Sequence, residues 1–263
     1  MKQSIRILAT FATLSLCATP VLADYYFPDN YWGAGIAGIV NDGIYANEPG
    51  RSGDVYDSNN EGYDISGINV GYSGTFLTAT ILSDSYFNNI QLPTNHKMYM
   101  PGDLFLSTNG WTPQGTAETY YNTDVVMDGG SAIWNYVVSL ADIEQGITSG
   151  TANLYATEDG TINAGVLRTA QMSWFDPGEN ADVLSIGNWQ YVKDANGNDS
   201  LQIMIDLAGA WNPAAQTLDM YWNMECGNDA VVAQITPVPE PTSLLLLVTG
   251  LAGIALTGRR RMR

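Results

Sequence analysis

Hydrophobic and polar residues alternate along several segments of this chain, with a period of two that is typical of β-strands with one buried face. Segments with this alternation, or with many β-branched and aromatic residues, are 75–82, 133–138, 201–207 and 218–224. In the last of these, Leu218, Met220 and Trp222 share one face and the intervening residues share the other. Helical periodicity is rare, so we expect little helix beyond one turn near residues 140–144.

Turn signals separate the predicted strands and indicate how they connect. Asn196-Gly197 lies between segments 189–193 and 201–207, and Asn-Gly between two strands predicts a tight hairpin. Many short strands without interleaved helices are typical of antiparallel sheets packed face to face. We therefore predict an all-β fold, an antiparallel two-sheet sandwich that is jelly-roll-like, with the aromatic segment 24–32 docked on it.

The amino end has the three parts of an export signal. Lys2 and Arg6 form its positive start, an apolar stretch follows, and small or medium-sized residues lead up to Ala23. We expect signal peptidase to cut between Ala23 and Asp24. The first 23 residues are then a signal peptide, and residues 24–236 form an extracytoplasmic domain.

The carboxyl end predicts a single membrane-spanning helix. Residues 242–257 carry no charge, and these 16 residues would measure about 24 Å as an α-helix at roughly 1.5 Å per residue. That length is short against a hydrocarbon core of about 30 Å, but flanking arginine side chains can reach the interface and close the gap. The arginines that follow are Arg259, Arg260, Arg261 and Arg263. A basic cluster stays on the cytoplasmic side, so we expect the main domain outside the cytoplasm.

The order of these parts resembles a known sorting signal. Pro239, Glu240 and Pro241 precede the apolar segment, and the basic tail 259–263 ends the sequence. Together, residues 237–263 are similar to the PEP-CTERM sorting signal. The resemblance implies cleavage near the Pro-Glu-Pro motif by exosortase, a membrane enzyme of Gram-negative bacteria that make exopolysaccharide. It also implies an inner-membrane-anchored precursor with a periplasmic body, which is then delivered to the cell surface or the extracellular matrix.

Two segments of the middle part extend this resemblance. Residues 102–107, Gly-Asp-Leu-Phe-Leu-Ser, and residues 222–229, Trp-Asn-Met-Glu-Cys-Gly-Asn-Asp, resemble segments shared by one group of PEP-CTERM proteins. Members of that group have no assigned activity. The resemblance therefore supports the family and implies no chemistry.

The charge of the middle part differs from that of the two ends. Six of the ten basic residues lie in the terminal segments, and four basic residues face 26 acidic ones between residues 24 and 236. This part of the chain therefore carries a net charge of −22. Such a surface repels phosphate backbones, which argues against nucleic acid as a partner.

The residue inventory argues against an enzyme. His96 is the only histidine, so a nucleophile–histidine pair has one possible base and a zinc site lacks ligands. Cys226 shares a strand face with Trp222 and Met224, which predicts a buried thiol, and the alternative is an intermolecular disulfide. Jelly-roll glycosidases carry closely alternating acids on one strand, and this pattern does not occur in the sequence.

Two sets of residues are candidates for ligand binding. Carboxylates and amides are dense in segment 54–61 and suit calcium, and the candidate ligands are Asp54, Asp57, Asn59 and Glu61. Aromatic side chains near turn signals either stack on sugar rings or bury their rings in the core. The candidates for stacking are Trp111, Tyr120, Tyr121 and Trp174.

The sequence thus predicts an exported, non-enzymatic protein of the cell surface or of an exopolysaccharide (biofilm) matrix. Its expected partners are signal peptidase, exosortase, the membrane through its carboxyl-terminal helix, and exopolysaccharide. One alternative is a carbohydrate- or calcium-binding adhesion module. The other alternative, less favoured by the residue inventory, is a glycan hydrolase.

Overall fold

The computed structural model describes residues 23–28, 65–83, 86–90, 99–111, 133–165, 172–193, 197–227 and 230–237. The strands in these ranges are β1 (Ala23–Pro28), β2 (Ile65–Ser73), β3 (Phe76–Ser83), β4 (Pro101–Ser107), β5 (Tyr136–Leu140), β6 (Ser149–Ala156), β7 (Gly160–Ala164), β8 (Met172–Pro177), β9 (Ser185–Lys193), β10 (Asp199–Asp206), β11 (Leu218–Met224) and β12 (Ala230–Ile235). The helical segments described are α1 (Tyr86–Ile90) and one 3₁₀ turn (Thr157–Asp159).

Ten of the strands form one sheet in the order β1-β2-β3-β10-β9-β6-β5-β4-β11-β12. Every neighbouring pair in this sheet is antiparallel. The predicted all-β, antiparallel architecture is therefore confirmed for the described residues. β1 pairs with β2 from Ala23 to Pro28, so the described part of the predicted docking segment is an edge strand.

The sheet is continuous, which differs from the predicted jelly-roll-like sandwich of two sheets. β10 hydrogen-bonds to β3 on one side and to β9 on the other, and it thereby joins β1, β2 and β3 to the rest of the sheet. The sheet curls until its edge strand β12 lies against β2. Nine of its strands turn one face toward a single cluster, the main core, which includes Val70, Ile81, Leu154, Trp189 and Ile203.

A second, smaller core lies on the other face of part of this sheet. β7 and β8 pair only with each other, and residues of β8 pack on β4, β5, β6 and β11. This outer core includes Phe105, Trp134, Val137, Met172 and Tyr221. As a consequence, every residue of β4 and of β11 is buried.

Two local predictions have different outcomes. β9 and β10 form an antiparallel hairpin with Gly197 at φ +89°, which confirms the connection predicted at Asn196-Gly197. The helical turn predicted near residues 140–144 is wrong. Asp142 has φ +58°, which an α-helix does not allow, and the N–H of Ala141 donates to the carbonyl of Thr151 to continue the β5–β6 pairing.

Candidate functional sites

Segments 102–107 and 222–229, which the sequence singles out, lie side by side where the structure describes them. β4 contains all of segment 102–107, and it pairs with β11, which contains the start of segment 222–229. Leu104 lies opposite Trp222, and the indole nitrogen of Trp222 donates to the carbonyl of Gly102 over 2.9 Å. Segments more than a hundred residues apart in sequence therefore form one buried junction.

Buried polar groups connect this junction to β8. The Ser173 hydroxyl donates to the side-chain oxygen of Asn223 at 2.9 Å, and the amide nitrogen of Asn223 donates to the Tyr221 hydroxyl at 2.6 Å. Ser173 and Asn223 are both fully buried. Because each of these polar groups is satisfied inside the protein, the junction is a structural network that positions the β7–β8 sheet.

Asp103 is the central charged group of the junction. Its side chain is buried, and its two carboxylate oxygens accept the backbone N–H of Leu140 and of Phe175, each at 2.8 Å. Burial raises the pKa of this carboxyl to about 6, although hydrogen bonds from Leu140, Phe175 and the Ser139 side chain act in the opposite direction. One carboxylate thus ties β4 to both β5 and β8.

Asp219 is a second buried carboxyl, at the other end of β11. Its oxygens accept the backbone N–H of Trp111 at 2.8 Å and the side-chain amide of Gln234 at 2.6 Å. Burial raises the pKa of Asp219, and the hydrogen bonds from Gln234 and Trp111 oppose that shift. Asp219 lies opposite Ser107, which is four residues along β4 from Asp103.

The sequence did not single out Asp103 or Asp219 as buried. An acid directly before Leu104-Phe105-Leu106 is a weak local signal of burial, because a run of large apolar residues indicates a strand covered on both faces. For Asp219, the only signal was its place on the polar side of an alternating strand. That side is buried here because the outer core covers it.

The candidate calcium ligands Asp54, Asp57, Asn59 and Glu61 lie outside the described residues, as does His96. Within the ranges that the structure describes, no three His, Cys, Asp or Glu residues are grouped so that they could hold a metal ion. Calcium binding at segment 54–61 stays a prediction.

The candidate sugar-stacking residues are not gathered into one platform by the described structure. Trp111 is half-buried and packs against Trp134 of the outer core, with 5.2 Å between ring centroids. Trp174 is half-buried on β8, opposite Asn163 of β7. Tyr120 and Tyr121 lie outside the described residues. The interpretation of Trp111 as partly a core residue is therefore the better supported one.

Cys226 is 1% exposed and packs in the main core, so its predicted burial is confirmed, although β11 ends at Met224 and Cys226 lies in the turn that follows. We expect the thiol of the native protein to react with Ellman's reagent about 100-fold more slowly, or less, than in urea, because reaction requires unfolding of this region. The readout is unambiguous because the only other cysteine, Cys17, lies in the predicted signal peptide. Fast labelling of the native protein, or a dimer that dithiothreitol dissociates on a denaturing gel, would contradict burial.

Six neighbouring strands share an outer surface that the sequence did not predict. Two rows of side chains cross β1, β2, β3, β10, β9 and β6 in register. The first row is Tyr26, Asn69, Thr80, Gln202, Gln190 and Ser149, and the second row is Asp24, Gly71, Thr78, Met204, Asn188 and Thr151. The residues that alternate with them point into the main core. We call these two rows the amide face.

The sorting motif follows directly after the folded part. β12 ends at Ile235, and the description ends at Pro237, so Pro239, Glu240, Pro241 and the four arginines from Arg259 to Arg263 lie outside it. None of the helices within the described parts of the chain has the length and apolar composition needed to cross a membrane. The predicted helix 242–257 is not among the described residues.

Comparison with known proteins places the carboxyl end in a family. Residues 237–261 match the family model described as the PEP-CTERM protein-sorting motif. No curated protein and no solved structure matches the chain. The matched residues include the Pro-Glu-Pro motif, the apolar segment and three of the four terminal arginines. The chain therefore carries a PEP-CTERM protein-sorting motif at its carboxyl end, which supports its identification as an exosortase substrate.

Proposed function

We propose that this protein is a non-enzymatic component of the cell surface or of the exopolysaccharide matrix of a Gram-negative bacterium. The observation that carries the proposal is the sorting motif at residues 237–261, and the export signal predicted for the first 23 residues agrees with it. Signal peptidase cuts after Ala23, the body folds in the periplasm, and helix 242–257 holds the precursor in the inner membrane. Exosortase then removes the tail near Pro239-Glu240-Pro241.

The described carboxyls support a non-enzymatic body. Asp103 and Asp219 are the described acids with raised pKa values, which are common in active sites. Both accept hydrogen bonds from neighbouring strands and loops, and they lie four residues apart along paired strands, or about 13 Å at roughly 3.4 Å per residue. Glycosidase carboxyl pairs lie about 5–9.5 Å apart. This geometry favours structural roles for both groups over glycan hydrolysis.

The test is the position of the mature termini in the producing host. We expect mass spectrometry of the surface fraction to find Asp24 as the first residue and a last residue at or before Pro241. In the triple variant Pro239→Ala/Glu240→Gln/Pro241→Ala, the chain should stay in the inner membrane and keep Arg259–Arg263, because the motif read by exosortase is gone.

Glu144→Gln is the matched control, since Glu144 is an exposed acid in a turn of the body and its loss also removes one negative charge. This control should be processed like the wild type. A wild-type surface protein that still ends at Arg263 would instead show a permanent anchor. Glycan turnover that depends on a carboxylate of the body would contradict the non-enzymatic assignment.

A further inference from the structure

The amide face differs in charge from the rest of the protein. Thirteen acids occur in the described residues, yet only Asp24 belongs to the two rows, where it is the end residue. β2 and β3, two of the six strands of the face, contain no charged residue. A body with a net charge of −22 therefore presents one broad surface without charge in its interior.

The chemistry of the rows is that of hydrogen-bond donors and acceptors. Asn69, Gln190, Gln202 and Asn188 each offer an amide N–H₂ and a carbonyl oxygen, and threonine or serine hydroxyls lie between them. Gln190 donates to the side-chain oxygen of Gln202 at 3.0 Å. That bond orders the two amides and leaves the carbonyl of Gln190 and an N–H of Gln202 to bind an outside partner.

The rows are long and lie on the outer side of the curled sheet. Five steps between neighbouring strands span about 24 Å at roughly 4.8 Å per step, and the two rows lie about 7 Å apart along the strands. A long outer surface with a polar group at each step of the first row suits an extended chain with repeated hydroxyl groups better than a small molecule, which prefers a concave pocket.

Aromatic and apolar side chains border the rows. Tyr26 is 56% exposed at the end of the first row, and its hydroxyl donates to the carbonyl of Ser66 at 2.9 Å. Gly67 makes room for this ring, because a Cβ there would lie 2.8 Å from Cε2 of Tyr26. Phe76 is 47% exposed on the same face of β3, two residues before Thr78, and it lies opposite Asp206 of β10, an exposed acid at the border of the rows. Such rings can stack on the apolar faces of sugars.

We infer that the amide face binds an uncharged polysaccharide along its two rows. This inference rests on the proposed function in one respect only, namely that the protein is delivered to a place where it meets a polysaccharide. The absence of charge is what selects the ligand. An anionic glycan would be repelled by the acidic body, and the one basic residue among those described, Lys193, already pairs with Asp199 at 2.7 Å.

The composition of the face also argues against a second copy of the chain as its occupant. The cores of protein–protein interfaces are enriched in aromatic residues, methionine and arginine, and depleted of serine. The interior of the two rows has only Met204 of these favoured types. Two copies, each with a body charge of −22, would also repel one another.

Affinity electrophoresis tests the inference. The full-length chain in mild non-ionic detergent is run through gels that contain dextran, hydroxyethylcellulose, galactomannan, alginate or no polysaccharide. We expect retardation in at least one of the three neutral gels and none in alginate. Full-length protein is used so that the binding measurement does not depend on sorting in the host. Failed sorting would show as an unprocessed chain in the host, whereas failed binding would show as unretarded migration in the gel.

The variant Gln190→Glu/Gln202→Glu keeps the shape of both side chains and places charge in the centre of the face. It should weaken binding in the neutral gel at least tenfold. The control Thr161→Glu/Asn180→Asp adds the same charge at exposed positions on β7 and after β8, and it should bind like the wild type. A urea midpoint equal to that of the wild type shows that each variant is folded.

Three results would overturn the inference. The first is unretarded migration of the wild type in all neutral gels, and the second is retardation in alginate. The third is concentration-dependent self-association of the wild type, measured by sedimentation without glycan, that the Gln190→Glu/Gln202→Glu variant abolishes. That last result would assign the face to a second copy. Equal loss of binding in the control variant would also count against the amide face, since bulk charge would then explain the effect.

Discussion

Replacing Asp103 by alanine should lower the free energy of unfolding by about 3 kcal/mol. Two buried backbone N–H groups, those of Leu140 and Phe175, would lose their acceptor, and each unsatisfied buried group costs roughly 1–3 kcal/mol. Urea unfolding at pH 7 measures the change. The exposed Asp182 provides a matched control, because Asp182→Ala should change stability by less than about 0.5 kcal/mol.

Asp103 should also give the stability of the protein a characteristic pH dependence. The pKa of its carboxyl rises from 3.8 to about 6 on folding, so between these pH values the folded protein holds a proton that the unfolded chain releases. The stability from this proton is present below pH 3.8 and is lost as the pH rises through 6. Over that window the wild type should lose about 3 kcal/mol relative to Asp103→Asn, at roughly 1.4 kcal/mol per pH unit. Parallel pH profiles of the two proteins would contradict the raised pKa.

Replacing Gly102 by alanine should destabilise the fold by about 3 kcal/mol or more. A Cβ at this position would lie 2.3 Å from the backbone oxygen of Ser173 and 2.5 Å from that of Asn223, so β8 or β11 must move. Overpacking of this kind typically costs roughly 1–3 kcal/mol, and here both obstacles are backbone atoms that cannot rotate away.

Gly74→Ala is the control for a glycine that has space around it. Gly74 has φ +59° in the turn between β2 and β3, and a Cβ there would meet nothing within 4 Å. Its replacement should cost only about 1–2 kcal/mol of left-handed backbone strain. Urea midpoints of the two variants give the comparison, and an equal loss for both would contradict the argument that Gly102 is needed for the close approach of three strands.

The local pattern predicted the strands well because side-chain alternation is a property of a single strand. Side chains of β10 alternate between buried and more exposed positions, those of β11 alternate between the main core and the opposite face, and β9 and β10 form the predicted hairpin. The pattern shows which residues share a face, but it does not show what covers each face. For this reason the polar side of β11, with Asp219 and Asn223, was not expected to be buried.

The candidate binding surface could not be predicted because it depends on pairings between distant segments. Thr80, Gln202 and Gln190 are neighbours only because β10 lies between β3 and β9. The aromatic residues chosen from the sequence were picked for their type and their nearby turns. Trp111 packs against the outer core. Like the two rows, this core lies on the face of the sheet opposite the main core, but Trp111 itself lies away from the two rows.

By itself, the sequence established the carboxyl-terminal sorting motif and predicted an export signal, since both are linear signals that membrane enzymes read in an extended or simply helical chain. It also determined the strand character of the body, because alternation with a period of two is local. Only the tertiary structure decided that the strands form one curled sheet, that Asp103 and Asp219 are buried, and that uncharged amides line one surface. Those properties arise from hydrogen bonds and packing between segments far apart in the chain, which no local pattern encodes.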